Sequence, residues 1–428
     1  MFAASRRVLS ASLQKCDSGG KKSPVLENVK LEEAQDLILS LITPLPAESL
    51  PLLRALGHVI YNDIHAFCDL PPYNQSAVDG YAVSESEKSM RYSYVVKERL
   101  KPGEMPSSSL KPGQAAGVVT GGPVPGKTVS VIPYEIARLE GHCLTFTEDV
   151  VPGDNIKPQG EDFRAGDLLA RRGAALSPGM VGVLAAYGRS EVTVFRRPRV
   201  AILGLGQEIV PYQDLPLPGQ IRDSNGPLLA ALVLRDGGQV TGVELAGGGN
   251  PFEIKNQLGK MLRQADIVLT TGGTAKGVCD QALYVVRQTG AKLLFWGVKI
   301  KPGSHSGAAV YDNKLIISLS GNPAACAAGY HLLAAPVLRF LQGLDPYPER
   351  LTAVCTNAYL KKGGPRRFLQ GCLKFDQKGL RVTILPGQKS SMLRGLLNNG
   401  NVLIDLPAGH PPVDEGAEVS VILLNPFA

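Results

Sequence analysis

Two glycine-bearing segments hold the residue types best suited to gripping a phosphate or another oxyanion. "LTTGGTAKGVCD" and "ISLSGNPAACAA" each carry β-branched and apolar residues into glycine and then into a helical pattern. In such a turn Gly272, Gly273, Gly277 and Gly321 let the backbone approach a ligand, and Pro323 suits a first helical turn. The free amides and the dipole of the helix start attract negative charge. A single loop of this kind is what ordinary turn chemistry also produces; two in one sheet point to a ligand. Nearby, "GVKIKPGSHSG" sets Lys299 and Lys301 at alternate strand positions, on one side of the strand, before Pro302-Gly303 turns the chain. The pair suits an anion, and it equally suits a solvated edge strand that resists aggregation.

Carboxylates recur in polar turns: Asp79 in "PPYNQSAVDGYAV", Asp162 in "GEDFRAGD", Glu208 in "GLGQEIV" and Asp280 in "GVCDQ". Each also reads as a cap or turn acid. Magnesium takes one or two carboxylates plus phosphate oxygens and water, so Glu208 and Asp280 beside two anion loops form a sensible metal set. Gly121 to Thr128, "GGPVPGKT", spells the phosphate-loop pattern GxxxxGK[ST] letter for letter. That loop requires a helix at its Lys-Thr, whereas "TVSVIPYE" is β-branched and carries Pro133, so nucleotide binding there is set aside.

The elements that must position these residues are legible from periodicity. From Arg199 onward strands alternate with helices: "RVAILGLG", a helix from Pro227, "QVTGVEL", "PFEIKNQLGKMLRQ", "DIVLTT", "CDQALYVVRQTG", "KLLFWGV", "LIISLS" and "PAACAAGYHLLAAPVLRFLQG". This is the pattern of a doubly wound α/β domain with a largely parallel sheet. Upstream, Val29 to Ala47 reads as a helix stopped by Pro44, and Leu53 to Ile64 as a second helix running into a strand. Ala66 to about Asp149 changes to short β-branched runs broken by Pro102-Gly103 and Pro112-Gly113, an inserted all-β module. Residues 150 to 196 return to turns, with Pro178 near a helix start, and the tail from Leu351 reads as a small C-terminal β domain.

Composition narrows the function classes. The 428 residues are 44% hydrophobic with 48 Gly and 32 Pro, a globular, turn-rich multidomain chain. Its formal charge of +7 is spread along the sequence, which gives no nucleic-acid stripe. Seven scattered cysteines without a CxxC pair frame neither a disulfide scaffold nor a zinc site, which fits a reducing cytoplasm. The six histidines lack HExxH-like spacing. Unbroken apolar runs fall well short of the roughly 18 to 20 residues of a membrane helix. Residues 1–24 read as a basic flexible tail.

Seven segments, in order, resemble the molybdopterin molybdotransferase family, known as MoeA in bacteria and as the E domain of gephyrin: "PPYNQSAVDGYAV", "VVTGGPVP", "GDNIKPQGEDFRAGD", "GQIRDSN", "DIVLTTGGTAKGVCD", "KIKPG" and "SGNPAA". The likeness runs from about residue 25 to the end. It implies a multidomain α/β fold: an elongated discontinuous subdomain (25–65 and 150–196), an inserted β lid (66–149), a MogA-like molybdopterin-binding domain (197–345) and a C-terminal β barrel (346–428). It also implies molybdenum cofactor biosynthesis, in which molybdate is inserted into adenylated molybdopterin with magnesium and AMP is released. The implied assembly is a homodimer whose site is shared between subunits, Asp79 and Thr120 acting in trans. Contact with the molybdopterin adenylyltransferase and with molybdoenzymes follows from the same likeness; nucleic acid and membrane do not.

Carried over position by position, the resemblance makes Asp79, Asp162, Glu208, Asp280 and Lys301 catalytic, with Glu208 and Asp280 on the metal. It makes Ser76, Thr120, Gly272, Gly273, Thr274, Gly277, Lys299, Pro302, Gly303, Gly321, Asn322 and Pro323 ligand-binding. The chain departs from the family near the chemistry. "sTGDEL" becomes "GLGQEI", with Leu205 and Gln207, and "GGvSvG" gains Ala275. "KPGKP" becomes "KPGSH", with Ser304 and His305, and "LPGNPvS" becomes "LSGNPAA", with Ser320 and Ala325. In the barrel "eFlR" becomes "RFLQ", with Gln370 at the arginine. Arg366 or Arg367, with Ser390 or Ser391, are the candidates to restore the lost charge and hydrogen bonding. A second reading stays open: a catalytically altered paralogue that carries, stores or senses the cofactor, or one that uses another oxyanion such as tungstate.

Overall fold

The structure, a computed structural model, describes residues 26–86, 93–246, 251–273, 281–389, 393, 396 and 400–424. They form two compact units, one from the described parts of 1–50, 57–61 and 193–428, the other from 51–56 and 62–192. Each is considered by itself.

The first unit is built on a seven-stranded sheet. Its elements are β1 (Leu26–Val29), α1 (Leu31–Leu39), β2 (Arg199–Leu205), α2 (Asn225–Arg235), β3 (Gln239–Leu245), α3 (Pro251–Gln264), β4 (Ile267–Gly272), α4 (Gln281–Gln288), β5 (Lys292–Val298), β6 (Gly307–Tyr311) and β7 (Lys314–Leu319). A long helix, Pro323–Leu341, follows and contains a π-helical turn at Tyr330–Ala334. The strand order is β1-β5-β6-β7-β4-β2-β3, parallel except for β6. Strands β2, β4 and β7 are almost wholly buried, as near-continuous apolar runs in a parallel sheet must be when helices cover both faces.

Residues 26–39 pack on the α/β sheet of this unit: β1 pairs in parallel with β5, and Leu31, Ala34 and Ile38 of α1 bury against its core. Burying that apolar stripe on the sheet outweighs any sequence continuity with the next segment. The helices expected over 29–47 and 53–64 shrink to Leu31–Leu39 and one 3-10 turn, Leu52–Ala55. The helix Pro323–Leu341 is long and apolar enough to cross a membrane (19 residues, mean hydropathy 1.4), although no unbroken apolar run flagged it. Its 78% burial inside the fold makes it the central core helix.

Past this helix, strands Arg350–Cys355, Arg366–Asp376, Gly379–Ile384, Val402–Leu406 and Glu418–Leu423 close into a five-stranded barrel. The short strand Ile300–Lys301 joins its sheet by pairing with Arg366–Arg367. Phe368, Leu403 and Ile422 on the barrel's outer face sit in the α/β core, while Leu369, Val402 and Ile404 fill the barrel.

The second unit holds a six-stranded sheet, Gly80–Val83, Ser93–Arg99, Gln114–Val118, Ser130–Pro133, Ala137–Glu140 and Cys143–Phe146, over a core of Tyr81, Tyr94, Ile132, Leu144 and Phe146. Its helix Pro178–Ala186 starts at Ser177, whose hydroxyl accepts the Met180 amide, with Pro178 in the first turn.

The end of β4 is the tightest point of the α/β sheet. Gly272 has φ 85°, and a Cβ there would stand 2.1 Å from the Leu205 carbonyl oxygen. Gly290, at φ 81°, has nothing within 4 Å of its Cβ position. Gly290→Ala should therefore cost only about 1–2 kcal/mol for the left-handed backbone, whereas Gly272→Ala should lower the urea midpoint far more. Equal midpoints would show that β2 and β4 do not meet there.

Candidate functional site

In the first unit the carboxyl ends of β2, β4 and β7 lie side by side, with Leu205 paired to Gly272 and Thr271 to Leu319. The chain leaves β2 toward β3 on one side and returns to β4 on the other. This is the switch point at which open α/β sheets bind ligands. Gly321 stands against Gly272 so closely that a Cβ on it would lie 3.2 Å from the Gly272 Cα. The two glycine loops thus meet backbone to backbone, with no side chain between them.

A buried amide ties them. Asn225, at the start of α2 and 8% exposed, donates through Nδ2 to Thr271 Oγ1 at 2.9 Å and to the Gly321 carbonyl at 2.7 Å. The Gly321 carbonyl can only accept, which fixes the amide's orientation. Thr271 Oγ1 passes its own proton to the Ser320 carbonyl at 3.2 Å. Asp223, also buried, holds the helix start through Oδ1, which accepts the Gly226 amide at 2.9 Å. Asn225 Oδ1 is buried without a partner, a cost that ordered loops rarely carry for nothing. Behind the knot, Cys326 is buried against Thr271, and burial pushes its thiol up to about 12, so it serves packing and not nucleophilic chemistry.

The turn after Lys301 joins the same group. Gly303 packs on the first turns of the helix at Pro323, its Cβ position lying 3.4 Å from the Ala325 carbonyl, and its own carbonyl accepts from the Ser306 hydroxyl. Asn322 caps that helix through its backbone, accepting the Cys326 amide at 2.8 Å. Pro302 and Ala324 open onto a cavity of about 160 Å³ that also touches Arg235, His331, Gln370 and Gln388. His331 is held neutral there, its pKa lowered to about 3 by burial and by Arg235.

The structure thus brings Gly272, Gly273, Pro302, Gly303, Gly321, Asn322 and Pro323 together. Glu208 follows β2 on an exposed turn, and its carboxylate has no ion pair or hydrogen bond among the described residues. Lys299 and Lys301 are exposed on either side of buried Ile300. Lys299 borders a different cleft, with Lys30, Glu32, Arg366 and Asp405, to which no glycine loop contributes. Thr274, Gly277, Asp280, Ser390 and Ser391 lie outside the described residues. No cluster of three acids, histidines or cysteines suited to a metal occurs among the described residues.

In the second unit Asp79 Oδ1 accepts from the Thr120 amide at 2.7 Å and from its hydroxyl at 2.9 Å. Those bonds hold the Asp79 carboxyl below the ordinary range. Ser76 donates its amide to the Gly122 carbonyl and its hydroxyl to the Val78 carbonyl, so it stabilises this turn. Asp162 pairs with Lys157 at 2.6 Å, and Lys157 lies opposite Gln75 in the short ladder beside Ser76. Gly121–Thr128 is a plain turn: Lys127 has φ 65°, the Thr128 hydroxyl donates to the Pro125 carbonyl, and a strand follows at Ser130.

Asn225 and Thr271 are the positions that sequence reasoning left out. "DSN" before an apolar run reads as a helix cap; nothing local reveals that its asparagine reaches two strand ends 46 and 96 residues away.

Comparison with known proteins agrees with this architecture throughout. Residues 29–188 match the MoeA N-terminal region (domains I and II), 201–339 the probable molybdopterin binding domain, and 352–424 the MoeA C-terminal region (domain IV). A molybdopterin molybdenumtransferase of Staphylococcus epidermidis is 30% identical over 94% of this chain and 96% of its own length. One from Staphylococcus aureus is 27% identical over the same shares. A crystal structure of the molybdopterin biosynthesis MoeA protein from Pyrococcus horikoshii superposes with TM-score 0.76 at 28% identity, covering 92% of this chain and 100% of that one. With three domain models in order and relatives aligned over nearly their whole length, the chain belongs to the MoeA family.

Proposed function

We propose that this protein is a molybdopterin molybdenumtransferase, inserting molybdate into adenylated molybdopterin and releasing AMP in molybdenum cofactor biosynthesis. The observation that carries the reading is the backbone contact of two glycine-lined strand ends at the switch point of the sheet. Amides around Gly273 and at the start of the helix after Asn322 hold the phosphate, and Lys301 offsets its charge. The work is electrostatic positioning of two anions, with no protein nucleophile needed.

Magnesium suits the donor set: a free carboxylate at Glu208, with Asp280 as the second, is what this ion takes alongside phosphate oxygens and water. When bound it would draw charge from the phosphate anhydride. Asp79, kept ionised by Thr120, and Asp162, kept in place by Lys157, belong on our reading to a second subunit's contribution in a homodimer. The division into lid (66–149), elongated part, α/β domain and barrel, the cytoplasmic location, and an exchange with the adenylyltransferase and molybdoenzymes belong to the same proposal. The unpaired Glu208 speaks against a protein that only binds the cofactor, since storage needs no carboxylate there.

Purified protein given adenylated molybdopterin, magnesium and molybdate should release AMP in a molybdate-dependent way; pterin binding without that release would reject the transferase. Asp280→Asn should lower turnover by about 10²-fold and leave molybdopterin affinity nearly intact, and unchanged kinetics would remove Asp280 from the site. Asp79 should stay charged to lower pH than an ordinary aspartate, losing its charge only as pH falls through its depressed folded pKa. Thr120→Val should move that midpoint upward in a carboxyl NMR titration, and a stationary midpoint would refute the assigned cause.

A further inference from the structure

Two adjacent arginines open the barrel strand Arg366–Asp376, and their surroundings differ. Arg366 is saturated: Nε and Nη2 donate to the two oxygens of Asp405 at 2.7 and 2.6 Å, and Nη1 donates to Glu32. It cannot turn to a ligand without breaking a buried pair. Arg367 is 8% exposed, yet among the described residues its side chain has no ion pair or hydrogen bond, and its Nε is buried without an acceptor. A cation removed from water without a counter-charge is costly, and an incoming anion relieves that cost.

Parallel pairing sets Arg367 directly beside Lys301, with Ile300 beside Arg366. Residues paired in this way point to the same face of the sheet, so two positive side chains stand next to each other. A glycine turn lies close against it: a Cβ on Gly364 would stand 3.3 Å from Arg367 Nη2, and the Gly364 carbonyl accepts the Gly409 amide at 3.0 Å. The next residue, His410, is 4% exposed and also keeps a ring nitrogen, Nε2, without a partner. No acid forms an ion pair with Lys301, Arg367 or His410 among the described residues.

We infer that Arg367 and Lys301 form the cationic wall of a binding site for a tetrahedral oxyanion, with His410 at its edge. Ser304 and Gln370 stand where the family has a lysine and an arginine, and Arg367 stands where it has an acid. Positions 367 and 370 fall on opposite faces of the strand. The positive charge has therefore moved to the Lys301 side, away from the cavity that Gln370 borders. The identity of the natural anion, molybdate, rests on the transferase reading; the site itself rests on the unpaired guanidinium.

The test is calorimetric titration of the full-length protein with sodium molybdate, and in parallel with sodium phosphate, before and after Arg367→Gln. The wild type should bind molybdate, and the variant should bind it at least ~10-fold more weakly. Without ligand the variant should melt no lower than the wild type, because the arginine it loses has no partner; molybdate should raise the melting point of the wild type alone. A wild type that binds neither anion, a variant that binds as tightly, or a variant that melts lower unliganded would each overturn the site. In the AMP-release assay, Arg367→Gln should raise the molybdate KM and leave the pterin KM unchanged. AMP release with an unaltered molybdate KM sinks the site and leaves the transferase standing. Arg367-dependent molybdate binding without AMP release does the reverse.

Discussion

The loop end of the α/β unit depends on one steric condition, that no side chain stands at Gly272, where β4 ends, or at Gly321, two residues past β7. Gly272 faces the Leu205 carbonyl and Gly321 faces the Gly272 Cα. A methyl group on Gly272 would force the strand ends apart, and one on Gly321 would press tightly on the Gly272 backbone. Because the contact is backbone on backbone, side chains are not available to lock it, and the fold brings in an outside amide. Asn225 supplies donors to both loops from the start of a helix belonging to the neighbouring crossover. The close approach of the two loops follows from that arrangement and not from any single side chain within them.

Electrostatics sorts the charged residues into those already engaged and those left over. Asp405 is nearly buried and holds two arginines; burial alone would raise its pKa, and the bonds from Arg366 and Arg350 outweigh that and lower it. Arg196 spans Asp266 with both terminal nitrogens, fixing the approach to β2 at the far end of the sheet from the glycine loops. Charges satisfied in this way build the frame. The side chains of Glu208, Lys301 and Arg367 lack such partners among the described residues.

Much of this was legible beforehand. The alternation of strand and helix from Arg199, the inserted β module and the terminal β domain follow from periodicity and turn residues, and both glycine loops were visible as strand-to-helix turns. Three things were not. Leu26–Val29 is too short to show which sheet it will join, a choice decided by the stripe on α1. Gly307–Tyr311, the antiparallel strand, carries no strong pattern in "GAAVY" and is held in place by its neighbours. Arg366 and Arg367 looked interchangeable in sequence, and only the Asp405 carboxylate tells them apart.

The barrel's seam with the α/β sheet runs through Ile300–Lys301, a strand contributed by one part of the chain to the sheet of another, while Phe368, Leu403 and Ile422 are lodged in the opposite core. Sequence boundaries near residue 345 are therefore not mechanical boundaries. Prising the barrel away would strip Ile300–Lys301 of its partner strand and open the interior where Phe368, Leu403 and Ile422 are seated.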